Sequence, residues 1–214
     1  MPALKNSLIV GVSATVIATV LGTLAALGIW RARFPAQALV LAILISPMVV
    51  PVIIVAVGVY FAFAPLGLTD GYVGLILAHT TLGVPFVVIT VLATLSGFDR
   101  TLIRAAESLG ASQITTFRRV TLPLIVPAFF AGLGVVFIRS MTAISATIFL
   151  ISVSWTLITV KILDNMTELS LGPAAAFSVF VVVVVYAVVA MVGWLLRRLR
   201  APGAAPVASL LGGG

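Results

Sequence analysis

The chain has 214 residues, 62% of them hydrophobic and only 8% charged, and its mean hydropathy is +1.33. A soluble domain could not cover itself with so little polar surface, so the composition leaves a polytopic, all-α membrane protein with one membrane domain. Lys and Arg total 12 against 5 acids, a net charge of +7, and with no cysteine and 1 histidine there is no disulfide, Cys-based zinc or iron–sulfur site, or His cluster for a metal.

Crossing the hydrocarbon core takes about 20 apolar residues in a helix. Five such runs lie near residues 7–29, 37–63, 72–95, 121–143 and 173–196. The first is too long for a cleaved signal peptide, and Arg31 and Arg33 follow it as a stop-transfer pair. It carries a stripe of small residues, Gly11, Thr15, Ala18, Gly22 and Ala25, expected to pack within the chain. Pro47 and Pro51 in the second run predict a kinked or partly unwound helix, and Pro85 and Pro127 gentler kinks in the third and fourth. Residues 201–214 are rich in Pro, Gly and Ala and read as a disordered tail.

Charge gives the direction. Arg31 and Arg33, then Arg100, Arg104, Arg118 and Arg119, then Arg197, Arg198 and Arg200 all fall on one side if the spans alternate. Only Lys5 and Lys161 fall on the other, with Asp70, Asp164 and Glu168. The positive-inside rule then expects the N-terminus outside, the C-terminus inside and the positives beside lipid rather than nucleic acid.

Residues 97–119 form a polar interruption on the inner side. Asp99 is placed to cap a helix from Arg100 to about Leu109, Gly110 suits the left-handed position that ends it, and Ser112 can cap a second helix running toward Pro123. Leu102, Ala106 and Leu109 share one face of the first helix, Ala105 and Ala106 present almost no side chain, and Arg104 and Glu107 are spaced to pair in water. A helical loop lying on the membrane surface is the plainer reading of the composition.

This segment resembles the EAA loop of permease subunits of binding-protein-dependent ABC importers. Ala105, Ala106, Gly110, Val120, Leu122 and Pro123 stand at the family's spacing. Arg104 replaces the motif's glutamate, and Glu107 follows one turn later. Asn6-Ser-Leu and Ser46-Pro-Met-Val-Val-Pro51 look like the first and second core helices. The resemblance implies the type I importer permease core, with Arg104, Ala105, Ala106, Glu107, Leu109 and Gly110 forming a coupling helix seated on a separate ABC ATPase subunit. It also implies a second permease subunit, an external periplasmic or lipoprotein substrate-binding protein and a place in the bacterial cytoplasmic membrane. The family often has one more helix ahead of the first, so a shortened or truncated subunit, or half of a two-part permease, is expected. Lys5 and Lys161 are followed by Asn6 and Ile162, so the chain holds no Walker A motif and is not itself the enzyme; no cofactor is implied.

Arg139 is the one charge inside an otherwise apolar stretch, roughly 25–30 Å from the inner end of its span. With Thr142 and Ser145, expected on the same helical face, it is a candidate for the translocation path; the alternatives are an interfacial anchor that snorkels outward or a pair with Asp164 or Glu168. His79 is a further path candidate, though a lone histidine more often packs than binds. Trp155 to Glu168 reads as an amphipathic outer segment. Ser13 with His79 gives only a faint serine-protease signal; a channel or ATP-independent carrier is the stronger rival and would not need the helix–Gly–helix segment. Residues 139–152 resemble ferric-iron permeases and the related polyamine and aminophosphonate permeases, which makes ferric iron the expected cargo and a polyamine or aminophosphonate the alternative.

Overall fold

The computed structural model describes residues 2–32, 34–151 and 156–199, and all regular secondary structure among them is helical. The first apolar run forms α1 (Pro2–Arg31), and the second divides into α2 (Gln37–Val49) and α3 (Val52–Phe63). Then come α4 (Tyr72–Ser96) and the polar helix α5 (Thr101–Ser108). The short α6 (Gln113–Thr116) runs through a π-helical stretch, Phe117–Thr121, into α7 (Leu122–Thr142). Two short helices, α8 (Ser145–Ile148) and α9 (Ile158–Thr167), lead to the long α10 (Leu171–Leu199). Trp155 and the tail at 201–214 lie outside the described residues.

Hydrogen bonds at the helix ends fix the directions. The Tyr72 hydroxyl, at the start of α4, donates to Asn6 Oδ1 at the start of α1, 2.8 Å away. At the other end Arg100 donates to the Trp30 carbonyl at 2.8 Å, and the Trp30 ring lies 6.0 Å from that of Phe98. Thus α1 and α4 run the same way, and residues 37–66 must travel back between them. The bent pair α2–α3 is therefore a crossing, which makes five with α1, α4, the continuous Gln113–Thr142 helix and α10. α7 runs against α4, since Arg31 donates to Gln113 Oε1 at 2.9 Å near its beginning and Ser140 meets His79 near its finish. Phe177 and Val181 of α10 pack with Leu4, Leu8, Phe137 and Met141, so α10 starts beside the start of α1 and carries Arg197 and Arg198 to the far end. Every described arginine except Arg139 thus lies toward the end of the bundle where α1 finishes.

Small residues determine what sits in the centre. A Cβ at Gly22 would stand 2.7 Å from Val87 Cβ, and one at Gly83 2.7 Å from Val136 Cγ1. These glycines let α1, α4 and α7 approach closely around Ala18, Val87, Val91, Ile125 and Val136, all buried. Gly11, Thr15, Ala18 and Gly22 of the predicted stripe are used in this way, inside the chain. Half of the apolar window of α4 is buried within the chain, against 11% of that of α10.

Two spans show more detail than the sequence carries. The second span is interrupted between α2 and α3, the partly unwound form expected at Pro47 and Pro51, and turns there through 107°. Val50 is extended (ψ 138°), and the helical ladder restarts where Ile54 and Val55 donate to the Pro51 carbonyl; Pro47 sits inside α2 without ending it. The helix that carries the fourth crossing starts at Gln113, ahead of the apolar run near 121–143, because the Ser112-capped turn continues into it without a stop. It also breaks after Thr142, at extended Ala143 (ψ 118°). The carbonyl freed by that break is satisfied by two hydroxyls, Thr147 at 3.1 Å and Thr159 at 3.3 Å.

Candidate functional site

At the arginine end, the local sequence builds a helix and a hard corner. Asp99 holds the start of the helix as expected, one amide earlier than Leu102: its carboxylate accepts from the amide of Thr101 at 2.8 Å and from the hydroxyl of Thr101 at 2.6 Å, its carbonyl accepts from the Leu102 amide at 3.2 Å, and α5 runs from Thr101. The Thr101 hydroxyl first, its amide next and nearby Arg104 last hold the Asp99 carboxyl below the ordinary carboxylate range.

The helix closes at Gly110, whose φ of +81° is left-handed. Gly110 N–H donates to the Glu107 carbonyl and Ala111 N–H to that of Ala106, both at 3.0 Å, the paired bonds of a Schellman motif. Ser112 then accepts from the Thr115 amide and starts the next helix.

Helical spacing divides α5 into two stripes. Leu102, Ala105, Ala106 and Leu109 recur at i, i+3, i+4 and i+7; Leu102 is 53% and Leu109 88% exposed. On the other side Arg100, Ile103, Arg104 and Glu107, with the same spacing, line a cleft of about 530 Å³ against the end of α1 and the beginning of the Gln113–Thr142 helix. Arg104 and Glu107 form no ion pair with each other. An apolar, small-residue stripe bare of intrachain cover is what a docking helix presents.

The path candidates do not form one face. Arg139 and Thr142 end α7, whereas Ser145 starts α8 beyond the break. Thr142 donates to its own helix, to the Ile138 carbonyl at 2.8 Å. The exposed guanidinium of Arg139 sits 4.8 Å over the Phe86 ring, with no acid as partner among the described residues. Side chains lean toward the start of their helix, and Gly83 packs against Val136, so the Arg139 guanidinium reaches back toward the middle of the bundle rather than snorkelling outward. His79 is 3% exposed. Its Nδ1 lies 2.8 Å from the Ser140 hydroxyl and Nε2 3.2 Å from that of Thr147, which ties α4 to both sides of the break. Its partners are 61 and 68 residues away, a link no local pattern carries.

This five-crossing helical bundle, with a polar corner at its arginine end, has the architecture of a transporter's membrane subunit. Residues 18–201 match the family "Binding-protein-dependent transport system inner membrane component", and the chain belongs to that family. It is 32% identical over 203 residues to the spermidine/putrescine transport system permease protein PotC of Escherichia coli (strain K12), covering 95% of this chain and 76% of that one. The probable molybdenum ABC transporter permease protein of Haloferax volcanii is 32% identical over 196 residues, 88% of this chain and 72% of its own. The ferric transport system permease protein FbpB of Actinobacillus pleuropneumoniae is 27% identical over 203 residues, 94% of this chain and 30% of its own. Among solved structures, a chain of a bacterial alginate ABC transporter, crystallised with an alginate pentasaccharide-bound periplasmic protein, superposes with a TM-score of 0.76 at 21% identity. That match covers 95% of this chain and 80% of the other, and carries the fold.

Proposed function

We propose that this chain is the translocation subunit of an importer powered by a separate ABC ATPase, with the arginine end in the cytosol and the Leu102–Ala105–Ala106–Leu109 face seated on that ATPase. The observation that carries it is the bare apolar stripe of α5, braced by the Gly110 corner and the Ser112 cap against the start of a spanning helix. The one-sided arginines support the orientation. A second permease subunit covers part of the exposed surface of α2, α3 and α10, and an external binding protein delivers the cargo to the opposite end. Arg139 faces the path between the two permease subunits.

The cargo is ferric iron or a polyamine. Residues 139–152 resemble the ferric-iron branch, whereas the similarity that covers more of both chains is to a spermidine/putrescine permease. As the resemblance to this importer family implies, selectivity rests largely on the external binding protein. Purification of the membrane complex tests the reading. An ATP-hydrolysing subunit should co-purify, and uptake into vesicles should stop when ATP is removed; uptake that persists without ATP, in a complex lacking such a subunit, returns the chain to the channel or carrier class. Spermidine and ferric uptake measured side by side separate the two cargoes.

A further inference from the structure

The cleft beside α5 has a chemistry of its own. Three arginines stand around it: Arg31, Arg100 and Arg104, with one acid, Glu107. Two are already oriented, Arg31 by its bond to Gln113 Oε1 at 2.9 Å and Arg100 by its bond to the Trp30 carbonyl and by stacking 4.8 Å over the Trp30 ring. The Arg104 side chain makes no hydrogen bond or salt bridge among the described residues, and the acid it acts on electrostatically is Asp99. The walls between them are apolar, from Leu27, Trp30 and Phe117. Thr116 also lines the cleft; it is 4% exposed, and its hydroxyl is without a hydrogen-bond partner. The cleft sits where α1 ends in Trp30 and Arg31, the aromatic-then-basic order of a membrane interface.

We infer that this cleft binds the phosphate headgroup of an anionic phospholipid, with Arg31, Arg100 and Arg104 around the phosphate and the first part of an acyl chain against Leu27, Trp30 and Phe117. Guanidinium groups suit a phosphate because their donors match its oxygens in pairs. A free phosphate shares that chemistry but would leave the apolar wall uncovered, whereas a lipid satisfies both halves of the cleft. Arg104 then has a role that the motif's glutamate could not fill, since a carboxylate there would repel the headgroup. The docking stripe of α5 faces the other way, so lipid and ATPase do not compete for one surface. The inference rests on the proposed function only for the choice of the cytoplasmic leaflet.

The test uses the full chain with Trp155→Phe and Trp194→Phe, leaving Trp30 as the reporter, reconstituted in phosphatidylcholine vesicles. Brominated phosphatidylglycerol, which quenches tryptophan on contact, should be preferred over brominated phosphatidylcholine at Trp30 by about five- to thirtyfold, the scale of one to two basic residues at a membrane surface. Arg31→Gln together with Arg104→Gln should remove most of that preference, while Arg31→Lys with Arg104→Lys should keep most of it, which separates lost charge from a damaged fold. Equal quenching by the two lipids in the parent, or a preference that survives the Gln pair, overturns the assignment. Displacement of the lipid by millimolar inorganic phosphate assigns the cleft to free phosphate and overturns it as well. Transport is not read in this assay, so lost ATP-driven uptake with the preference intact would count against the proposed function alone.

Discussion

The two ends of the bundle are built on opposite plans. At the end where α1 begins, polar side chains are used inward. Tyr72 bonds Asn6, the Ser7 hydroxyl accepts from the Ile158 amide at 2.8 Å, and His79 joins Ser140 to Thr147. At the arginine end the charged groups face outward and the apolar stripe of α5 is left bare. Buried hydrogen bonds are costly to leave half-made, so the first end resists opening; exposed ones exchange with water, so the second can rearrange around a partner. One end holds the subunit together and the other offers it to something else.

Perturbations of each end should therefore read differently. The largest effect belongs to neither end but to the core they share. Gly83→Leu drives atoms into Val136 and Ala18 and should cost about 3 kcal/mol, seen as a lower melting temperature in detergent; a Cβ at Gly134 meets nothing within 4 Å, so Gly134→Ala should pass unnoticed. His79→Ala comes next. It strands the hydroxyls of Ser140 and Thr147 and should cost roughly 1–3 kcal/mol, with faster hydrogen exchange at residues 143–150 and unchanged α5. An equal stability loss from Leu109→Asp would erase the contrast between the ends, because Leu109 should be silent in melting while ATPase association and uptake fall.

Gly110→Val must enter the left-handed region at a cost of roughly 1–2 kcal/mol, confined to the corner. Uptake should drop up to about tenfold while the melting temperature hardly moves. The smallest effect is that of Asp99. Its carboxyl is held below its ordinary value, so what it contributes to the start of α5 is fully present above the usual carboxylate pKa and is lost as pH falls through the depressed one. Helix signal from α5 should thus be flat from neutral pH down to about 4 and fall only below that; a midpoint near pH 6 would contradict the Thr101 bonds.

Much of the arginine end was legible in the sequence because its signals are local. Gly110 after an apolar turn and Ser112 three residues before Thr115 name their own conformations. The gathering of the arginines at one end was legible too, because charge is counted rather than folded. The elbow between α2 and α3 was legible as a kink or an unwound stretch: two prolines announce a break, but its 107° depends on what the halves lean against. The break after Thr142 had no proline or glycine to announce it. It depends on Thr147 and Thr159 reaching the Ala143 carbonyl, and Thr159 lies 16 residues away. For the same reason Arg139, Thr142 and Ser145 looked like one face when periodicity was extended across a helix that stops between them. The cleft could not be read from spacing, since Arg31, Arg104 and Thr116 meet only once α1, α5 and the Gln113–Thr142 helix are in place.

The parallel course of α1 and α4 bears on how the protein is made. Neighbouring spans in a growing chain enter the bilayer as antiparallel hairpins, but the helix that packs most extensively against α1 is not its neighbour. It arrives only after the bent pair has crossed back. Until then the threonines that α1 later buries, Thr15, Thr19 and Thr23, face lipid or the insertion machinery. Assembly of the core thus waits on the third span, and a ribosome stalled before Tyr72 would leave α1 in the membrane without its partner.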